Sequence, residues 1–217
     1  LLAAAVGARP GQTVLDAGAG VGAVSLCLAW RCPELVIRGM ELQPELATLA
    51  QENIAANGMA ARVSIQQGDI RQPPPEIGQA TFDHTVCNPP FHVAGRSSAP
   101  PNASKAIAHG EGETPLQEWL AFCLRRTVSG GTVTVIHRGD RLAALLSGLR
   151  QGAGDMVVFP LWARLDKPAK RIIVQARVGG RGPDIMHPGL CLLDADGNDS
   201  AQARAVLRDG AALDMSS

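Results

Sequence analysis

The sequence contains no tyrosine, and its aromatic content is only 3%. Its 20 basic and 20 acidic side chains cancel, so no global field attracts a polyanion, and any nucleic-acid contact must come from a local basic patch. The five cysteines form no CxxC pair and no paired framework, which argues against a disulfide scaffold or a zinc site and indicates reduced thiols in the cytoplasm. No apolar run reaches the roughly 18 residues of a membrane span, and no stretch has a signal-peptide pattern.

Apolar segments of strand length alternate with longer amphipathic segments along the 217 residues. This alternation is typical of one α/β domain, in which helices on both faces connect parallel strands. The sequence therefore predicts an α/β fold with a doubly wound, mostly parallel, seven-stranded sheet. The predicted strands cover about residues 13–17, 35–41, 62–67, 81–87, 131–137, 155–161 and 171–178. The predicted helices cover about residues 21–31, 44–57, 115–128 and 140–151.

The main domain is predicted to cover residues 1–180, followed by an extension of residues 181–217 that packs on the same domain. Within the extension, an apolar run at 190–194 indicates a strand, and a helical pattern follows at about 200–208. Residues 71–79 are rich in proline and are predicted to form a loop.

Four residues, Asn88-Pro89-Pro90-Phe91, follow the predicted strand at 81–87. Neither proline can donate to a sheet ladder, so the strand ends there and rigid backbone presents Asn88. The Asn88 carboxamide offers an acceptor and a donor, and the Phe91 ring lies beside it in sequence. Such a set suits a planar amino group that must be held flat while it reacts. The polar segment 92–114 that follows has the length of a functional loop, and we expect a substrate-dependent lid there.

A glycine-rich turn follows the first predicted strand, in the run Val14-Leu15-Asp16-Ala17-Gly18-Ala19-Gly20-Val21-Gly22. Glycines let the backbone approach a ligand, and free N–H groups at a helix N-terminus favour anionic oxygens. Alone the pattern is weak, because it nearly satisfies the dinucleotide fingerprint as well. Asp16, however, is poorly placed beside a pyrophosphate and well placed beside a sulfonium and an ammonium. Glu41 ends the second predicted strand and can accept both ribose hydroxyls, although a NAD enzyme needs the same acid.

The order of these motifs, with Gln67-Gly68-Asp69-Ile70 after the third strand, resembles the class I, Rossmann-like S-adenosylmethionine-dependent methyltransferases of the small methyltransferase type. This resemblance covers about residues 10–180. Two further segments, residues 106–111 and residues 159–162 followed by 170–177, look most like the bacterial tRNA1(Val) adenine-N6 methyltransferases.

The resemblance implies a Rossmann-like methyltransferase fold that binds S-adenosylmethionine, forms S-adenosylhomocysteine as product and needs no metal. The family usually has an N-terminal segment that covers the cofactor, and we interpret the apolar run at residues 1–6 as the end of its helix. The implied catalytic residues are Asn88, Pro89, Pro90 and Phe91. The implied cofactor-binding residues are Asp16, Gly18, Gly20, Gly22, Glu41, Leu42, Asp69, Ile70 and Asn88.

The substrate implied by the resemblance is the N6 amino group of adenine in tRNA, with the base unstacked onto Phe91. A glutamine amide and the N2 amino group of guanine are planar nitrogens of the same kind, so a protein glutamine N5 or an rRNA guanine N2 methyltransferase remains an alternative function. A cofactor-binding subunit without activity is a further alternative. A NAD dehydrogenase is the weakest alternative, since no proton-donor pattern accompanies the turn. The expected phosphate-contact patch is Arg164, Lys167, Lys170 and Arg171, joined by Arg125, Arg126 and Arg138.

Overall fold

The structure is a computed structural model that describes residues 1–90 and 114–215, and within them nine strands form one sheet. The strands are β1 (Thr13–Ala17), β2 (Val36–Glu41), β3 (Val63–Gln67), β4 (Phe82–Cys87), β5 (Thr127–Arg138), β6 (Ala153–Trp162), β7 (Arg171–Val178), β8 (Ile185–Met186) and β9 (Leu190–Cys191). The α-helices are α1 (Ala23–Arg31), α2 (Pro44–Ala56), α3 (Pro75–Gly78), α4 (Leu116–Arg126), α5 (Leu142–Leu149) and α6 (Ala201–Arg208). Two 3₁₀ turns cover Ala3–Ala5 and Gly139–Arg141.

The strand order is β3-β2-β1-β4-β5-β7-β6-β8, and β9 pairs with β6. Strands β1 to β5 run parallel to one another, and β7 is inserted antiparallel between β5 and β6. The carboxyl ends of β1 to β6 therefore lie at one edge of the sheet, together with the connection from β6 to β7. Ligands of doubly wound sheets bind at this edge.

Successive residues of β1 face opposite layers, as the two-residue period of a strand requires. Val14 packs into a cluster with Leu28 and Ile54 of helices α1 and α2. Leu15 packs into a second cluster with Leu120 and Leu145 of helices α4 and α5. Fully burying such a side chain stabilises the fold by about 1.5 to 3 kcal/mol, so both faces of β1 fix its position.

The predicted doubly wound α/β fold is confirmed, but the predicted number of seven strands is wrong. Strand β8 has only two residues, which is too short for any periodicity to show in the sequence, whereas β9 lies within the strand indicated at 190–194. The division at residue 180 stays a prediction. Helix α6 and Leu213 nevertheless pack against Phe159 and Ile173 on one face of the sheet.

Strand β5 begins at Thr127, four residues before the predicted start at about residue 131. Gly130 has a φ of 81°, and the register between β4 and β5 shifts at this point. A Cβ at Gly131 would lie 2.5 Å from the Asp83 carbonyl oxygen. The glycines thus form a bulge through which β5 passes close to β4, rather than a break.

Two local predictions are corrected by short helices. Residues 71–79, predicted as a loop, contain α3, which Pro75 begins at a position where proline is tolerated. The helix predicted at about 140–151 begins only at Leu142, because Asp140 lies in a 3₁₀ turn, where its carboxylate pairs with Arg138. Arg141 is the residue that precedes α5, and no side chain caps that helix. Among the described residues, no helix is both long and apolar enough to cross a membrane.

Candidate active site

Three neighbouring strands end side by side at the ligand-binding edge. Ala17, the last residue of β1, pairs with Met40 in β2 and with Cys87 in β4. Adjacent strands lie about 4.8 Å apart, so the residues that follow these three positions emerge close together. Those residues are Gly18, Glu41 and Asn88.

The glycine turn has a left-handed backbone at three positions. The φ angles are 74° at Gly18, 55° at Gly20 and 83° at Gly22, a region in which a Cβ is unfavourable. The amides of Gly18 and Ala19 both donate to the Met40 carbonyl, at 2.9 and 3.0 Å, which ties the turn to β2. Gly22 precedes α1, and no side chain caps that helix, so its first amides face the edge.

The Glu41 carboxylate is buried, with 7% exposure, and both of its oxygens accept backbone hydrogen bonds. The Gly20 amide donates to Oε2 at 2.9 Å, and the Gln43 amide donates to Oε1 at 3.0 Å. Each carboxylate oxygen has two acceptor positions, so one position on each oxygen is left for a ligand. Glu41 therefore holds the turn in place and can also accept a pair of hydroxyls.

Asp16 lies in the interior beneath the turn, with 2% exposure. The Ser25 hydroxyl donates to its Oδ2 at 2.7 Å. Burial raises the pKa of Asp16 to about 6; the Ser25 hydrogen bonds oppose that rise, and the nearby Glu41 charge adds to it. A cation bound at the edge would therefore favour the ionised form.

The pKa of Asp16 predicts how stability depends on pH. Because the pKa is higher in the folded chain than in the unfolded chain, the stability contributed by Asp16 is complete below about pH 4 and is lost as the pH rises through 6. Asp16→Asn is expected to remove this loss, raising the free energy of unfolding at about pH 8 by up to about 3 kcal/mol. Urea unfolding without cofactor at about pH 5 and pH 8 measures it.

Asp83→Asn is the matched control for that measurement. Hydrogen bonds from the Thr13 amide and hydroxyl lower the pKa of Asp83, so its contribution is lost as the pH falls and its variant should show the opposite trend. If the free energy of unfolding depends on pH in the same way in Asp16→Asn and in the wild type, the raised pKa of Asp16 is contradicted.

Asp69 follows β3 and is engaged by Arg71. The Arg71 guanidinium donates Nη2 to Asp69 Oδ2 at 2.8 Å, and the Arg71 amide donates to Oδ1 at 2.9 Å. These bonds lower the pKa of Asp69. The pair is partly exposed, so an adenine amino group would have to share this carboxylate with Arg71. Ile70 is buried beside it, whereas Leu42 is 54% exposed and can cover an apolar ring face.

Asn88 is exposed at the end of β4, as the two prolines predict, while Pro89 is buried beneath it. The carbonyl of Pro90 accepts a hydrogen bond from His137 of β5. Burial lowers the pKa of His137 to about 4, so this imidazole is neutral at physiological pH and holds the segment without charge. Phe91 lies outside the described residues, as does the predicted lid at 92–114 apart from residue 114.

The thiol that precedes Asn88 takes no part in chemistry. Cys87 is fully buried and shares a hydrogen bond with Cys123, and both this bond and burial raise the pKa of Cys87. A thiol held in its neutral form is a poor nucleophile. The polar side chain that this strand end presents to solvent is therefore the Asn88 carboxamide.

Trp119 of α4 lies directly over the glycine turn. A Cβ at Gly18 would come within 2.8 Å of its Cη2 atom and 3.1 Å of its Cζ3 atom, so the indole fits only against glycine. The indole also packs on the hydrophobic cluster beneath α4. Its Nε1 is buried and has no hydrogen-bond partner in the part of the chain that the structure describes. A buried donor without a partner lowers the stability of the fold by about 1–3 kcal/mol.

The sequence interpretation missed Arg71, His137 and Trp119. Arg71 could have been found, because a cation two residues after an acid at a turn is a local signal. His137 and Trp119 reach the site from β5 and α4, and nothing in their own neighbourhoods indicates that contact. The topology of the sheet brings them there.

The predicted basic patch divides between two edges of the sheet. Arg164, Lys167 and Lys170 lie in the connection from β6 to β7, and Arg171 begins β7 opposite Arg138, all at the edge where Asn88 emerges. Arg125 and Arg126 instead end α4, which leads into the start of β5 at the opposite edge. Arg126 donates to the carbonyls of Ile77 and Ala80, so it serves to anchor α4. Within the described residues, no group of three histidine, cysteine or acidic side chains is arranged to hold a metal.

The family model described as "Methyltransferase small domain" matches residues 1–110, half of the chain. A curated tRNA1(Val) (adenine(37)-N6)-methyltransferase from Porphyromonas gingivalis (strain ATCC BAA-308 / W83) is 34% identical over 143 residues, which cover 65% of this chain and 55% of the relative. One from Aeromonas salmonicida (strain A449) is 35% identical over 127 residues, covering 58% and 51% respectively. This chain spans about half the length of the curated relatives that it matches.

Solved structures match the fold at low identity. A predicted O-methyltransferase, protein Atu636 from Agrobacterium tumefaciens, has a TM-score of 0.80 at 21% identity, covering 98% of this chain and 96% of that one. TrmN from Thermus thermophilus has a TM-score of 0.52 at 21% identity, covering 79% and 45%. At these identities the similarity extends to the fold alone.

Proposed function

The chain belongs to the methyltransferase small domain family, and on that premise we propose that it transfers a methyl group from S-adenosylmethionine to the N6 amino group of adenine in tRNA. The observation that carries the proposal is the register of the sheet, in which Gly18, Glu41 and Asn88 follow three paired strand ends. A donor held by the first two positions would have the third beside it. A tRNA substrate sets this reaction in the cytoplasm.

The cofactor site fits a nucleoside with a positively charged tail. When bound, S-adenosylmethionine supplies an electrophilic methyl carbon on a sulfonium sulfur. The free acceptor positions of Glu41 suit two vicinal hydroxyls, and Asp16 supplies a buried negative charge near the turn. Since ionisation of Asp16 is needed for that attraction, cofactor affinity should fall as the pH drops below about 6.

Asn88 and the Pro89 carbonyl would accept the two N–H bonds of the target amine. These bonds draw electron density back onto nitrogen and reduce delocalisation of its lone pair into the ring. The lone pair, freed in this way, would form the N–C bond to the donated methyl group while the C–S electrons return to sulfur, and the extra proton would leave nitrogen to water. Catalysis of this kind comes from positioning and preorganised dipoles, with no covalent enzyme intermediate.

The substrate assignment draws on the edge at which the basic residues lie. The β6–β7 connection and the first residue of β7 carry Arg164, Lys167, Lys170 and Arg171 against a single acid, Asp166. In a chain of zero net charge, this local excess at the catalytic edge suits a phosphate backbone. The names of the curated relatives point to adenine in tRNA.

The experiment that tests the proposal offers several methyl acceptors side by side. The protein is incubated with methyl-labelled S-adenosylmethionine and separately with total tRNA, rRNA and release-factor protein. We expect label in tRNA, recovered after digestion as N6-methyladenosine. Label only in guanine or only in protein glutamine would reject adenine in tRNA as the substrate. Cofactor binding without methyl transfer to any acceptor would reject the proposed methyltransferase activity.

The Trp119 ring gives a further test of the cofactor site. Trp119→Phe removes the outer indole atoms that pack against Gly18 and so loosens the glycine turn, and we expect the cofactor Kd to rise about two- to tenfold, or about 0.4–1.4 kcal/mol. Isothermal titration calorimetry measures it. Trp30→Phe is the control, because that indole is 62% exposed and packs near Gly210, away from the edge. If Trp119→Phe and Trp30→Phe bind the cofactor with the same Kd, Trp119 takes no part in the cofactor site.

A further inference from the structure

A groove of about 660 Å³ opens at the catalytic edge, beside the strands that follow β5. Its walls are almost entirely apolar. Val158, Pro160 and Trp162 alternate along β6 and so face the groove together. Leu142 of α5 closes one side, and the segment from Met186 to Pro188 closes the other.

The aromatic walls of the groove are held in place before any ligand arrives. The Trp162 Nε1 donates to the Pro188 carbonyl at 3.0 Å. The His187 ring stacks on Phe159 with centroids 4.6 Å apart, and its Nδ1 accepts from the Gly189 amide at 3.1 Å. The Trp162 ring, fixed in this way, loses little conformational entropy when a flat ligand stacks on it.

Basic residues border the groove and indicate which kind of flat ligand it binds. Pro168 and Ala169 line the groove, and they lie between Lys167 and Lys170. Arg171 follows, beside the lining residue Ile172. An apolar slot bordered by cations fits a nucleobase whose phosphates lie outside it, whereas an apolar peptide would gain nothing from the cations.

The groove is also within reach of the reaction centre. Strands β7 and β6 lie two and three strands from β4, or about 10 and 15 Å at about 4.8 Å per strand. His137, which holds Pro90, lies two residues before Gly139, another lining residue of the groove. A few nucleotides on one side of the target base can bridge this separation.

We propose that this groove binds an unpaired nucleobase that flanks the methylated adenine in the RNA substrate, by stacking on Trp162. The inference rests on the proposed function, since it takes the target to be RNA. It adds a second base-binding site, which sets the direction in which the RNA strand crosses the edge.

Trp162→Leu tests the stacking surface. We expect the KM for tRNA to rise about tenfold or more, the usual effect of one lost base stack, with kcat at saturating tRNA and the cofactor Kd unchanged. The control is Trp30→Leu, which removes an exposed tryptophan far from the edge. Met186→Glu gives a second route, because Met186 is 64% exposed at the rim and a carboxylate there repels phosphate; Leu207→Glu, on α6, is its control.

Abasic RNA identifies the bound base. After the methylated position has been mapped with the wild type, neighbouring bases are removed one at a time from a tRNA fragment. At one flanking position, loss of the base should raise the KM as much as Trp162→Leu does, and combining the two changes should add nothing further. If wild type methylates RNA but neither groove variant changes the KM, the groove is rejected and the proposed function stands. If wild type methylates no RNA, both are rejected.

Discussion

Replacing Asn88 with alanine is expected to lower kcat about a thousandfold while the cofactor Kd stays within about twofold. Asn88 lies exposed at the end of β4, whereas the proposed cofactor contacts, Glu41 and the glycine turn, come from β1 and β2. Its loss therefore removes hydrogen bonds made to the target nitrogen and leaves the donor in place. Single-turnover transfer to tRNA measures the rate, and calorimetry measures the affinity.

Asn57→Ala is the matched control, because Asn57 ends α2 at the surface. Asn88→Asp adds a second comparison: it keeps an acceptor oxygen in the same place and should retain more activity than alanine. An Asn88→Ala enzyme that turns over at more than about a tenth of the wild-type rate would mean that Asn88 only ends the strand.

Replacing Glu41 with alanine is expected to raise the cofactor Kd well over tenfold. Two effects add, because the variant loses the acceptors for ribose and also releases the Gly20 and Gln43 amides. Each buried polar group left without a partner costs about 1–3 kcal/mol, and 1.4 kcal/mol is a factor of ten in affinity. Calorimetric titration with S-adenosylmethionine gives the value.

Glu45→Ala controls for loss of charge at the start of α2, since Glu45 is exposed and one helical turn away. Cofactor analogues that contain deoxyribose separate the loss of ribose binding from the release of the Gly20 and Gln43 amides. If Glu41 binds hydroxyls, the wild type should discriminate strongly between ribose and deoxyribose forms and the variant should not. Wild-type affinity in Glu41→Ala would exclude this residue from the cofactor site.

The sequence predicted the elements that carry strong local signals. The Asn88-Pro89-Pro90 run ends β4 because two prolines cannot continue a ladder. The alternation of strands and helices then sets a parallel sheet, which brings Asp16, Glu41 and Asn88 to one edge. These side chains come from three strands that are far apart in the chain.

The contacts that the sequence left unpredicted depend on packing between distant elements. Trp119 covers Gly18 only because α4 crosses that face of the sheet, and His137 reaches Pro90 only because β5 pairs beside β4. The Gly130-Gly131 bulge misled the strand assignment because glycine signals a turn and a close approach equally well.

The groove beside β6 could not be predicted from the sequence either. Its lining comes from the end of β5, α5, β6, β7 and the residues before β9, and none of these segments carries a recognisable motif. The basic residues of the β6–β7 connection were visible in the sequence, but the apolar surface that they border was not. Charge and stacking surface act together only in the folded chain.

The most direct measurement of the central claim is a crystal structure with a stable cofactor analogue and an RNA that carries the target adenine. We expect the N6 nitrogen about 3 Å from the Asn88 carboxamide oxygen and about 3–3.5 Å from the position of the transferable methyl carbon. An N6 nitrogen held by other groups, with the Asn88 side chain directed away from the glycine turn, would contradict it.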